Sequence, residues 1–247
     1  MIRSLFVHLN IVLSFLILMI PQLIVCFIDP TGNLSHRIAR LWGRWILLCS
    51  GVRVRVVGLE HLSEEGPLIF FSNHRSYFDV FSLLAYLPVQ YRWLAKEELF
   101  RIPLFGQAMR RGGYIPIDRS NTRKAYRSMV EAADRIRRGT SLVIFPEGTR
   151  SPDGKLLPFK TGGAVLAIKA RVPAVPVAIL GTERILPKGR FRVGRSDVEI
   201  RIGAPISTEG LTLRDKVALT RRLREAVREL LGEEAREEGE QGCRSLG

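Results

Sequence analysis

Two short polar clusters about seventy positions apart hold the side chains best able to do chemistry. The first is Asn73-His74-Arg75-Ser76-Tyr77-Phe78-Asp79. A histidine with an unperturbed pKa of about 6.5 accepts a proton at neutral pH, so His74 is a candidate general base. Such a base needs an acceptor on its other ring nitrogen, and Asp79 is the candidate. On one continuous helix, positions i and i+5 lie about 140° apart and would not meet. His74 is therefore expected in a loop, with a helix starting near Ser76 and turning Asp79 back toward it. Ser76-x-x-Asp79 is also a capping-box pattern, under which Asp79 merely caps the helix. Spacing alone leaves both readings open. The second cluster is Phe145-Pro146-Glu147-Gly148-Thr149-Arg150-Ser151. It offers a carboxylate, a glycine suited to a tight turn, and a guanidinium able to grip a phosphate with two parallel bonds.

Each cluster follows an apolar, β-prone run, Pro67 to Ser72 before the first and Ser141 to Ile144 before the second. This sets polar groups at the ends of buried strands, where open α/β sheets keep their ligands. The rest alternates in the same way. Strands are expected near Val52–Val57, Tyr91–Ala95, Gly113–Ile117, Val175–Leu180 and Val198–Ile202. Helices are expected near Ser76–Tyr86, Pro103–Met109, Lys124–Arg138, Gly163–Lys169 and Leu213–Leu231. The predicted fold class is α/β: a mostly parallel central sheet flanked by helices, with an N-terminal two-helix membrane-anchoring motif.

That motif decides the class of protein. From Leu5 to Ile28 only His8 can carry a charge. As a continuous helix the segment would span about 36 Å, enough for a hydrocarbon core of roughly 30 Å. Pro21 is expected to kink or end it. A signal peptide fits poorly, because the apolar run is too long and no small-x-small site follows. After the turn signal Asp29-Pro30-Thr31-Gly32-Asn33, a second helix is expected over Leu34–Cys49. Its apolar face is Leu34, Ile38, Leu41, Trp42, Trp45 and Ile46, and Arg37, Arg40 and Arg44 lie opposite. Three mid-helix arginines cost about 2.5–3.5 kcal/mol each on insertion, so this helix should lie in the interface rather than span. Packing on the soluble domain is the alternative. The expected organisation is a membrane-associated hairpin over 1–50, a catalytic α/β domain over 51–232 and a flexible acidic tail over 233–247.

The formal net charge of +14 favours an anionic partner. No zinc-finger spacing or RNA-recognition aromatic motif accompanies it, so no nucleic-acid partner is expected. Three scattered cysteines form neither a disulfide framework nor a metal set.

In order along the chain stand Asn73-His74-x4-Asp79, Gly113-Tyr114-Ile115-Pro116-Ile117-Asp118-Arg119, Phe145 to Ser151, and Val175-Pro176-Val177. Together they resemble the four blocks of the glycerolipid acyltransferase family, and the chain is similar to its bacterial members that act on 1-acylglycerol 3-phosphate. The resemblance covers about Leu68 to Leu180. It implies acyl transfer from acyl-CoA or acyl carrier protein to the free hydroxyl of lysophosphatidic acid, with no bound cofactor, no metal and no acyl-enzyme. His74 would be the base and Asp79 its orienting partner. Arg119, Glu147, Gly148, Thr149 and Arg150 match the acceptor-binding blocks. Lys96 and Lys160 are further candidate cations for the phosphate. The expected setting is the cytoplasmic leaflet of the cell membrane, where the acceptor resides. Glycerol 3-phosphate, another lysolipid, or a basic surface scaffold without catalysis are the alternatives.

Overall fold

A computed structural model of the chain describes residues 1–62, 66–118 and 122–233, with side chains for all of these except 122–127. Arg119 and the acidic tail from residue 234 therefore lie outside the described residues. The helices are α1 (Ile2–Ile28), α2 (Asn33–Cys49), α3 (Phe78–Tyr86), α4 (Phe105–Arg111), α5 (Thr122–Arg137), α6 (Gly162–Ala170), α7 (Thr182–Ile185) and α8 (Lys216–Leu231). The strands are β1 (Val54–Val57), β2 (Ile69–Ser72), β3 (Tyr91–Lys96), β4 (Ile115–Ile117), β5 (Ser141–Ile144), β6 (Ala174–Leu180) and β7 (Val198–Ile202).

The strands form one sheet in the order β1-β7-β6-β2-β5-β3-β4. Every neighbouring pair is parallel except β6 and β7. The sheet is thus mostly parallel, as its crossover-length spacings predict. β2 leads through α3 to β3 on one side, and β5 leads through α6 to β6 on the other. The loops leaving β2 and β5 therefore lie side by side where the crossovers diverge, the usual crevice of an open α/β sheet.

Alternate side chains of the buried strands serve two cores. Phe70, Trp93, Val143, Val175 and Val177 pack with α3 and with Ile46 and Leu47 of α2. Ile69, Phe71, Leu142 and Ile144 pack on the opposite face with Ala132, Ala133 and Ile136 of α5, Leu166 of α6 and Leu223 of α8.

The N-terminal hairpin differs from expectation in two ways. α1 continues through Pro21 as a single helix of 27 residues. It is tied to the domain at both ends. The Arg3 guanidinium donates to the carbonyls of Val193, Gly194 and Ser50, and Cys26 Sγ lies 3.8 Å from the Ala108 carbonyl. α2 does not present one apolar face to a membrane. It packs on α3 through Gly43, where an added Cβ would sit 2.9 Å from the Phe81 carbonyl oxygen. Ile46, Leu47 and His36 are buried there, whereas Leu41, Trp45 and Leu48 remain exposed. The apolar stripe is divided between domain and surroundings because α3 is itself apolar and needs cover. Arg44 turns back to donate to the Ala85 carbonyl. The turn signal between the helices holds. Asp29 accepts from the N–H groups of Thr31 and Leu34, and buried Arg92 donates to the Thr31 carbonyl and the Asn33 side chain.

Candidate active site

His74 sits in the loop after β2, two residues beyond the last strand position. Its Nδ1 lies 2.9 Å from Asp79 Oδ2. Asp79 is fully buried in the first turn of α3, and the same Oδ2 accepts the backbone N–H groups of Arg75 and Ser76 at 2.7 Å each. α3 begins at Phe78, one residue later than the capping pattern implies, and Ser76 Oγ accepts from the Phe78 N–H. The two readings of Asp79 hold together: one carboxylate closes the helix start and orients the imidazole. Its other oxygen accepts from Thr182 Oγ at 2.5 Å. With Nδ1–H given to a carboxylate, Nε2 is the nitrogen left with a lone pair. The ring stacks on Phe145 with centroids 4.0 Å apart, and Phe145 stacks in turn on Trp93.

Two contacts to His74 lock the motif loops together, and a third ties Glu147 to Leu157. Ser151 N–H donates to the His74 carbonyl at 2.8 Å. Glu147 Oε1 accepts the His74 N–H at 2.6 Å, and Oε2 accepts the Leu157 N–H at 3.0 Å. Glu147 thus has both oxygens on backbone donors beneath the loop rather than on the groove that His74 lines. Burial, with a smaller push from Asp79, raises its pKa to about 7 against these two hydrogen bonds. Asn73 pins the same loop from the other side. Its side-chain oxygen accepts the Ile179 N–H and its amide donates to the Ile179 carbonyl, continuing the β2–β6 ladder by one rung. The Val175-Pro176-Val177 block is buried mid-sheet and lines no part of the groove.

His74 opens on an apolar groove of about 620 Å³ between the hairpin and the sheet. Phe15 and Met19 of α1 and Trp42 of α2 form its outer wall, and Trp93 and Tyr114 lie on the domain side. Gly148, Thr149, Arg150 and Lys96 line it beside His74. The Arg150 guanidinium lies 3.8 Å over the ring of Tyr77, which holds a flexible cation in place. Gly148 takes φ +76°, the left-handed region that favours glycine, and the Lys160 side chain packs against it. Lys96 pairs with Glu98 at 3.0 Å. The site thus brings together His74, Asp79, Gly148, Thr149, Arg150 and Lys96, with Lys160 behind the glycine.

Sequence reasoning missed Thr182, Tyr77 and Lys188, whose Nζ donates to Thr149 Oγ at 3.0 Å. The available signal was Gly181-Thr182, which ends a third buried strand just as the two motifs end theirs.

An imidazole held by a carboxylate thus stands beside cations at the mouth of an apolar groove. The acyltransferase family matches residues 53–180, and this chain belongs to it. Its relatives are narrower in kind. The chain is 37% identical over 173 residues to the chloroplast 1-acyl-sn-glycerol-3-phosphate acyltransferase of Brassica napus, covering 69% of this chain and 50% of that enzyme. It is 34% identical over 217 residues to the human 1-acyl-sn-glycerol-3-phosphate acyltransferase alpha, covering 87% and 76% respectively. The chain thus spans half the length of the Brassica enzyme. The crystal structure of the 1-acyl-sn-glycerophosphate acyltransferase PlsC from Thermotoga maritima superposes with a TM-score of 0.78 at 27% identity, covering 94% of this chain and 96% of that one.

Proposed function

We propose that this chain transfers a fatty acyl group from a thioester to the free hydroxyl of lysophosphatidic acid, giving phosphatidic acid. The observation that carries the reading is the His74–Asp79 pair at the mouth of an apolar groove flanked by Arg150 and Lys96. His74 Nε2 takes the proton of the acceptor hydroxyl as its oxygen attacks the thioester carbonyl. Collapse of the tetrahedral intermediate breaks the C–S bond, and the same proton passes to the leaving thiolate. Asp79 holds the ring in the required tautomer and stabilises the imidazolium. Arg150, Lys96 and Arg119 are assigned to the phosphomonoester, whose two negative charges need more than one cation. The acyl chain is assigned to the groove, which has the size and apolar lining of a ligand site. The donor is acyl-CoA or acyl carrier protein.

The setting is one leaflet of a membrane, entered by the exposed faces of α1 and α2. α1 shows Leu5, Phe6, Leu9, Leu13, Leu16, Ile17 and Ile20 outward while both its ends are fastened to the domain, which favours lying in the leaflet over crossing it. The cytoplasmic side suits the basic charge of the chain.

The test is turnover of purified protein in lipid, with lysophosphatidic acid, glycerol 3-phosphate and neutral lysolipids each offered with both thioesters. Lysophosphatidic acid should be the preferred acceptor, and His74→Ala should lower its use by about 10²–10⁴ without changing the melting temperature. Near-normal turnover by folded His74→Ala would remove the assignment.

A further inference from the structure

Beyond Lys188, the connection between α7 and β7, residues 186–197, has no part in the chemistry above. It carries Lys188, Arg190, Arg192 and Arg195 against one carboxylate, Asp197. Asp197 and the nearby Glu183 are already engaged: Asp197 pairs with Arg53, and Glu183 accepts the Gly181 N–H. Its one aromatic side chain, Phe191, is 61% exposed.

The loop is fastened to the first turns of α1. Arg3 donates to the Val193 and Gly194 carbonyls, Ser4 Oγ accepts the Val193 N–H, and Phe191 stacks on His8 with centroids 4.3 Å apart. Beside these contacts Ile2, Leu5, Phe6 and Leu9 of α1 are exposed. A single exposed aromatic residue is ordinary on a soluble surface. Here it extends the apolar face of a helix and is bracketed by cations, the composition of a surface lying at headgroup depth.

We infer that this loop is a docking surface for anionic phospholipid headgroups, with Phe191 set among the headgroups and Arg190, Arg192 and Arg195 paired with lipid phosphates. The inference rests on the reading that α1 lies on a leaflet, and it adds a charge requirement that α1 cannot supply. Between Leu5 and Ile28 that helix offers no fixed cation. Because Lys188 reaches Thr149 at the groove, leaflet contact at this loop also fixes where the site mouth stands.

The test uses full-length protein transferred from detergent to vesicles of phosphatidylcholine alone or mixed with phosphatidylglycerol. Partition is read by flotation across a salt series. Wild-type protein should favour the anionic vesicles, increasingly at low salt. Arg190→Gln/Arg192→Gln/Arg195→Gln should lose about a hundredfold of that preference, at roughly fivefold per cation near an anionic surface. Its partition to neutral vesicles and its melting temperature should not change. Phe191→Ser should lower partition to both vesicle types. A triple variant that keeps the full anionic preference overturns the inference. So does one that keeps it and loses turnover only with the carrier-protein thioester, which would mark the loop as a surface for an acidic protein. Wild-type protein that ignores neutral vesicles yet binds anionic ones through these arginines removes the α1 reading and leaves the loop assignment standing.

Discussion

Asp79 holds four donors with two oxygens, and only His74 among them moves a proton in the proposed reaction. The others fix the carboxylate in a fully buried position. Thr182 is the informative one, because it approaches from a different strand end. Thr182→Val removes its hydroxyl and leaves Oδ1 without that partner. The expected loss is about 1.5–3 kcal/mol of stability, together with a fall in kcat larger than any change in acceptor KM. A variant with unchanged kcat and Tm would show that Oδ1 needs no such support. Glu147 makes a separate prediction. Its raised pKa means that the folded protein prefers the neutral acid, so its contribution to stability is complete below the unfolded value of about 4.5 and is lost as pH rises through about 7. A glutamine does not titrate. The Tm of Glu147→Gln relative to wild type should therefore shift in the variant's favour between pH 5 and pH 8. A difference that stays flat over that window would mean the two backbone N–H groups hold Glu147 ionised throughout.

At the level of elements, the hairpin is both wall and cover. α2 closes over Phe81 and Leu84 of α3 through the narrow contact at Gly43, and α1 contributes Phe15 and Met19 to the groove. Deleting residues 1–50 should therefore do more than release the protein from membranes. It should also lower Tm, because Ile46 and Leu47 leave the core that they share with Phe78 and Leu83. Turnover on lipid-embedded acceptor should fall further than turnover on a short-chain soluble one. A truncated protein with wild-type Tm would show that the domain does not rely on the hairpin.

Across the whole molecule, chain order and strand positions were legible, because each buried strand is a compact β-prone run between turn residues. Strand ends shifted by a residue or two, as at Val54 and Ile115, where pairing rather than composition sets the limit. The reversed direction of β7 was not legible, since a period-2 pattern is the same read either way. The division of the α2 stripe was hidden because its partner, α3, lies some forty residues further on. In the site, the approach of Asp79 to His74 was one of two readings that spacing left open. Thr182 was not legible, because it stands 103 residues from Asp79 and only the β2–β6 pairing brings them together. The resemblance assigns Glu147 to the acceptor, and the sequence alone does not show that both its oxygens meet backbone N–H groups.

The attachment of α1 also sets an order of events during synthesis. Arg3 docks on Val193, 190 residues later in the chain. At about 5–20 residues per second, the ribosome needs roughly 10–40 s to produce that partner after α1 has emerged. For that interval the most apolar segment of the protein exists without the surface it will pack on. A nascent helix of this kind needs an interim host, and in the leaflet setting proposed above the lipid itself can serve from the first seconds. Assembly would then proceed by lowering the α/β domain onto a helix already seated, rather than by delivering a finished protein to the membrane.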